Sequence, residues 1–392
     1  MAEKAYITKS VLIWGRTSSK YSIDEVAVKL KVEKEIIEGW EDENSESYPT
    51  LKQLETLSNL YRRHLAVFYL PEPPLDFGTL RDFRKSQKFQ EFSKGFNFML
   101  REIQGKQLWM KEYLVDNKES ELEFIGKFGI DDNYKKIAAD ILKETEINIL
   151  VQTQNYLNYL IEKIEAKGVF VTLSSNYHNR MLLDPTEFRG FAISDKLAPF
   201  IFINSADSKN AQTFTLIHEL VHLWINSTGI SNFNSIEFRD DNNQNKYDKI
   251  EILCNKVTAE ILMPETLLRD SINQTNITID FVDNLAKSFN VSGYAIIVRL
   301  LNLNIISLNK FNDFKRITDK RFEDFKNKNS LKVKSKGGPD YYLMQTRRNS
   351  NSFTHLIVGN YKSDNISLNE ASNLLNIKVN NLPNLEKYLF AK

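Results

Sequence analysis

The sequence predicts an α+β chain that is mostly helical, with a small antiparallel sheet confined to its middle. Three observations carry that prediction. Apolar residues recur at three- and four-residue steps through most of the first 165 positions and again beyond 246. Between them, the runs "GVFVTLSS", "FRGFAIS" and "APFIFIN" are short, β-rich and closely spaced. The length of 392 residues suggests two to three domains, and 42% apolar residues suffice for one sizeable core and some smaller ones.

The first unit, 1–74, reads as short helices: "VLIWGRTSSK", "SIDEVAVKL", "VEKEIIEGWEDE" and "PTLKQLETLSNLYRRHLAVFYLPEPP". Ser22 with Glu25 has capping-box spacing, and Thr50 after Pro49 is a second N-cap. Pro71, Pro73 and Pro74 close the unit. Residues 75–165 read as a helical connecting region, with "FQEFSKGFNFMLREIQGKQLWMKEYL" as its main helix. Residues 166–308 hold the β-rich runs; "FAISDKLAPFIFIN" reads as two strands joined by a short turn. Four helices complete this region, including "YDKIEILCNKVTAEILMP" and the pair in "ITIDFVDNLAKSFNVSGYAIIVRLLNLNII". Residues 309–392 open with a Lys- and Phe-rich segment, followed by a turn in "SKGGPDYYL". "SFTHLIVGNY" reads as a strand or a helix start, and short helices end the chain.

Cys254 is the sole cysteine, so no intrachain disulfide forms. The N-terminus lacks a signal-peptide pattern, and no apolar run reaches the length of a membrane span. A cytoplasmic location without membrane contact is expected. The net charge of +1 hides an asymmetry: residues 1–74 carry −2 and residues 310–348 carry +7.

One stretch, "TFTLIHELVHLWI", sets His218 and His222 four residues apart on an otherwise apolar helix, with Glu219 beside the first. Residues i and i+4 share a helix face, so the two imidazoles can bind one metal. Two ordinary core histidines would each need a separate buried polar partner, which is costly; a shared metal satisfies both. His-Glu-x-x-His is the arrangement of zinc peptidases, in which zinc activates water and the Glu takes its proton. A catalytic zinc wants a third protein ligand. Glu251 and Glu260 both lie on the next helix, about 180° apart around it, so only one can serve. Periodicity slightly favours Glu251. Tyr177, His178, Arg180 and Tyr247 are of suitable type to stabilise an oxyanion, with nothing to rank them. His64 and His355 read as structural, and Cys254 as a small packing residue. The strand "APFIFIN" is expected to present an edge to an extended substrate.

"HELVH", "IEILCNKVTAEILMP" and the preceding "GFAISDKLAPFIFIN" resemble the ImmA/IrrE family of metallo-endopeptidases. The resemblance places the third ligand on Glu251, with Thr258 standing where the family usually has Ala. It implies a minimal zincin-like peptidase domain at 166–308, one catalytic Zn2+ held by His218, His222 and Glu251, and Glu219 as catalytic base. Residues 11–74 resemble the helix-turn-helix of Xre-type regulators, fused ahead of the peptidase, and the last segments resemble a C-terminal extension. The family implies a site-specific endopeptidase whose protein substrate is a helix-turn-helix repressor in a stress or mobile-element response. The competing reading is a regulator or toxin–antitoxin-like component whose peptidase domain senses metal or docks a partner.

DNA is the further partner to weigh. The helix that would read it, 33–43, carries a net −5, which repels phosphate. Protein recognition, including pairing with a second copy of the chain, suits that module at least as well. The segment 310–348 is the better electrostatic candidate for nucleic acid, although an amphipathic helix with Phe inward and Lys in solvent accounts for it more simply.

Overall fold

A computed structural model describes residues 3–74, 81–82, 92–151, 153, 155–177, 181–231, 246–272, 276–330 and 340–390. Two compact units emerge. One comprises 1–79, 89–104 and 176–182; the other comprises 80–88, 105–175 and 183–392.

The first unit is built on α1 (Lys9–Ser18), α2 (Ile23–Leu30), α3 (Lys34–Glu41) and α4 (Leu51–Tyr61). Ser22 with Glu25 and Thr50 with Gln53 form reciprocal capping boxes at the starts of α2 and α4. Lys31, in the left-handed region at φ 58°, ends α2 and turns the chain toward α3. Val11, Leu12, Ile37, Trp40, Leu57 and Phe68 fill the core. Two cations tie α3 to α1. Arg16 grips Glu41 through both carboxylate oxygens, at 2.7 and 2.8 Å. The buried Lys9 ammonium donates to the Asp42 and Ser45 carbonyls just past the α3 C-terminus, at 2.6 and 2.5 Å.

Along the chain the strands are β1 (Arg81–Asp82), β2 (Phe170–Ser174), β3 (Asn176–Tyr177), β4 (Met181–Leu182), β5 (Gly190–Ile193), β6 (Phe200–Asn204) and β7 (Gly229–Ser231). β3 and β4 pair within the first unit. The other five form a sheet in the second unit, in the order β1-β7-β5-β6-β2. This sheet is mixed rather than antiparallel as expected. β5 runs antiparallel to β6 and β7, whereas β2 is parallel to β6 and β1 to β7. The β5–β6 hairpin is locally encoded: Asp195 Oδ1 accepts from the Leu197 and Ala198 amides at 2.9 and 3.0 Å, shaping its turn. The parallel pairs join segments distant in sequence, and such partners leave no local signal. The same topology corrects the expected substrate edge, because β6 is flanked on both sides by β5 and β2.

The helices after α4 are α5 (Lys94–Asp116), shared by the two units, then α6 (Tyr134–Thr145), α7 (Tyr156–Glu165), α8 (Lys209–Trp224), α9 (Lys246–Leu262), α10 (Glu265–Ile272), α11 (Ile279–Ser288), α12 (Gly293–Asn302), α13 (Leu308–Ser330), α14 (Tyr341–Asn349), α15 (Asn351–Lys362), α16 (Leu368–Leu374) and α17 (Leu382–Phe390). "SFTHLIVGNY" therefore lies in a helix. Asp340 caps α14, where a turn was expected; the turn's residues before it lie outside the described residues. In α13, Phe311 and Phe314 are buried in the core while Arg316 stands exposed beside Asp313, as an amphipathic helix requires. Among the described residues, no helix is long and apolar enough to cross a membrane.

α8 is the central helix of the second unit and is fixed at both ends. At its start, Ser208 accepts from the Ala211 amide, and the Gln212 side chain donates to the Asp207 carbonyl at 2.7 Å, tying the helix to the end of β6. At its end, Trp224 Nε1 donates to Asp140 on α6 at 3.0 Å, and Phe124 stacks on the indole at 4.3 Å. The amides of Gly126 and Phe128 take up the Leu223 and Trp224 carbonyls, which the helix itself cannot satisfy. α9 packs along α8 and is held from behind by α12. There the buried Arg299 guanidinium pairs with Glu260 and donates to the Met263 carbonyl at 3.2 Å.

Removing one partner of such a pair strands the other charge. Arg299→Ala is expected to cost about 3 kcal/mol of unfolding free energy, read from urea denaturation. A change below about 0.5 kcal/mol would mean that the pair does not hold α9 in place.

Candidate metal centre

His218 and His222 sit in the middle of α8, where every residue from Thr215 to Trp224 is buried. Both imidazoles and Glu219 are completely buried. The two Nε2 atoms face each other at 3.0 Å. From α9, Glu251 Oε2 lies 3.3 Å from His218 Nε2, and Oε1 lies 3.3 Å from His222 Nε2. Three donor groups thus converge from two helices on one point. Zinc bonds of about 2.0–2.2 Å set tetrahedral donor–donor edges of about 3.3–3.6 Å. The observed separations are close to such edges, the two Glu251 contacts being made by different carboxylate oxygens and the His–His separation being slightly tighter.

The electrostatics suit a cation. Burial pushes the His218 imidazole pKa down, against the opposing pull of Glu251, so the ring is neutral and its lone pair is available at neutral pH. Burial alone would raise the Glu251 carboxyl, but the neighbouring His218 and His222 outweigh it and hold the group well below the usual carboxylate range. Burial also pushes the Cys254 thiol up, reinforced by Glu251 and Glu219, so it stays protonated. An ionised carboxylate beside the neutral His218 and a second buried imidazole, in an apolar helix interface, is a ready cation site.

Cys254 also lies close, and His218, His222 and Cys254 form a group able to bind a metal. Its sulfur sits 3.7 Å from His222 Nδ1, whereas the Nε2 of the same ring is the atom near His218 and Glu251. Glu260, the alternative third ligand, is engaged elsewhere: it pairs with Arg299 and accepts from the Glu265 amide at 3.4 Å. Thr258 is fully buried on α9.

Of the four oxyanion candidates, Tyr177 belongs to the first unit, where its ring packs on Phe98 at 5.4 Å. His178 and Arg180 lie outside the described residues, as does the side chain of Tyr247 in α9. His64 caps the short helical turn 65–69, and His355 packs edge-on to Phe390.

One residue escaped the sequence reading. Gly190 of β5 runs directly beneath α8. A Cβ there would stand 2.6 Å from Thr215 Cγ2, 2.8 Å from the Phe202 carbonyl oxygen and 3.2 Å from Glu219 Cγ. A glycine inside the β-rich "FRGFAIS" was the available signal, since glycine in a strand marks close approach of another chain segment.

Residues 169–301 match the family model described as the IrrE N-terminal-like domain, a peptidase family. The match spans the sheet from β2 onward, α8, α9 and the helices through α12. It supports the ImmA/IrrE resemblance and a metallopeptidase domain of that type. No curated protein matches the chain.

Gly190→Ala is expected to lower stability by about 1–3 kcal/mol, because its methyl meets backbone and a packed helix that cannot retreat freely. The urea midpoint should fall accordingly. An unchanged midpoint would show that α8 tolerates displacement from β5.

Proposed function

We propose that the second unit is a zinc-dependent endopeptidase in which His218, His222 and Glu251 hold the metal and Glu219 is the general base. The observation that carries this is the convergence of two imidazole Nε2 atoms and one carboxylate at 3.0 to 3.3 Å, with Glu219 buried beside them. When bound, zinc supplies Lewis-acid activation of water and of a peptide carbonyl at neutral pH. Glu219 takes the proton from the attacking water and returns it to the leaving amine nitrogen. Gly190 leaves room under α8 for the Glu219 side chain, so the carboxylate is set by packing from below. The apolar surround keeps that proton transfer away from bulk solvent.

The substrate is a protein, and the Xre-like reading of the first unit supports a helix-turn-helix repressor as that protein. In α3, Glu41 is taken by Arg16, and Lys34 lies near Asp24 and Glu38 at 3.4 and 3.8 Å. Glu33, Glu35, Ile36 and Glu38 are exposed. A surface on which carboxylates outnumber the exposed Lys34 three to one, with one aliphatic side chain, repels phosphate and suits a protein partner. A role for α3 in docking the repressor follows more readily than one in reading DNA.

The test uses full-length protein and an Xre-type repressor encoded beside it. Wild type reconstituted with zinc is expected to cut the repressor at one site. Glu219→Gln should keep one zinc per chain by elemental analysis yet lose cleavage by about a thousandfold or more. His218→Ala and Glu251→Ala should lose both zinc and cleavage. Zinc-loaded wild type that cuts no protein or peptide would overturn the peptidase reading and favour a metal-sensing regulator.

A further inference from the structure

A histidine that ligates through Nε2 carries its proton on Nδ1. The group that accepts that proton fixes both the tautomer and the ring orientation. Resting on the ligand set proposed above, we propose that α9 also supplies both of these acceptors: Cys254 Sγ for His222 Nδ1–H and Asn255 Oδ1 for His218 Nδ1–H. Residues 251, 254 and 255 stand at i, i+3 and i+4 and share one face of α9, the face turned to α8. One helical turn thus provides the third ligand and a positioning residue for each histidine.

For His222 the contact is direct. Cys254 is fully buried, and its sulfur lies 3.7 Å from Nδ1, within range for a sulfur acceptor. The opposite ring nitrogen faces His218 and Glu251. Cys254 therefore sits behind the ring and acts through it. For His218, Asn255 stands one helical turn beyond Glu251 on the face of α9 that meets the histidines. Asn255 Oδ1 is buried, and among the described residues no donor claims it, which leaves it available to the His218 ring.

The chemistry of the two acceptors fits the site. Ligand histidines are commonly backed by a carboxylate, which adds negative charge. Here Glu219 is fully buried and Glu251 mostly so. A third carboxylate in the same apolar interface would add a further desolvation penalty. A thiol and a carboxamide orient the rings without adding charge.

The experiment uses full-length protein stripped of metal, with zinc affinity measured by chelator competition. Cys254→Ala and Asn255→Leu are each expected to weaken zinc binding about tenfold. Both should shift the visible bands of the cobalt-substituted protein, and Cys254→Ser should restore affinity and spectrum. Near-UV circular dichroism of each metal-free variant should match wild type. A readout on wild type needs no variant to fold: long-range proton–nitrogen NMR of the zinc form should show both rings as Nδ1–H tautomers with slowly exchanging protons. Nε2–H tautomers, or affinities within twofold of wild type, would overturn the inference while leaving the ligand set standing. A sulfur-to-cobalt charge-transfer band that disappears in Cys254→Ala would also overturn it, by making Cys254 a ligand. Failure of wild type to take up zinc would instead remove the ligand set on which the inference rests.

Discussion

A charged and polar cluster buried between two apolar helices is the constraint around which the second unit is organised. Two imidazoles and a carboxylate lie within 3.3 Å of one another, with a second carboxylate alongside, where α8 meets α9. Left to itself such a cluster is expensive, because each group has surrendered water for a low-dielectric interior. A divalent cation turns that cost into coordination energy, and the gain depends on donor atoms being held to a few tenths of an ångström. The rest of the unit can be understood as the means of holding them.

Each neighbouring element restrains one degree of freedom of α8 or α9. Ser208 and Gln212 fix where α8 leaves the sheet. The Trp224–Asp140 bond and the Gly126 and Phe128 amides fix its far end. β5 sets its height, and the missing side chain at Gly190 decides how close it can lie. Arg299 fixes α9 from the side opposite Glu251, pairing with Glu260 as it does so. The two glutamates nine residues apart on α9 therefore serve opposite faces: one faces the two histidines and the other the scaffold.

What was legible beforehand follows the range of the interactions. His218, Glu219 and His222 are a local pattern on one helix, and the capping boxes at Ser22 and Thr50 are equally local, so both could be read from spacing. The β5–β6 hairpin was legible through its turn chemistry. Between Glu251 and Glu260, periodicity favoured Glu251 only slightly and the family resemblance singled it out, because spacing separates the two faces of α9 but barely says which meets α8. The structure turns Glu251 to the two histidines and pairs Glu260 with Arg299, 39 residues further on. The parallel β2–β6 pairing, and with it the interior place of β6, was illegible because strand order depends on partners that no local window contains.

Strand order also gives the C-terminal extension a physical role. β2 is an outer strand of the sheet, yet all five of its residues are buried. An outer strand with unpaired backbone groups and the composition Phe-Val-Thr-Leu-Ser would invite pairing with another chain. α14 and α15 pack against it, and Phe353 sets its ring edge-on to Phe170 and Phe200 at 6.3 and 6.1 Å. The joint is keyed by Glu165, at the end of α7. Its buried carboxylate accepts from the Val171 amide of β2 and from Ser350, Asn351 and Ser352 at the start of α15. A carboxylate at a helix N-terminus is favoured by the amides it meets there, and this one joins α7, β2 and α15 through a single group. The extension thus belongs to the core of the unit that carries the candidate metal centre: it covers the edge that β2 would otherwise expose.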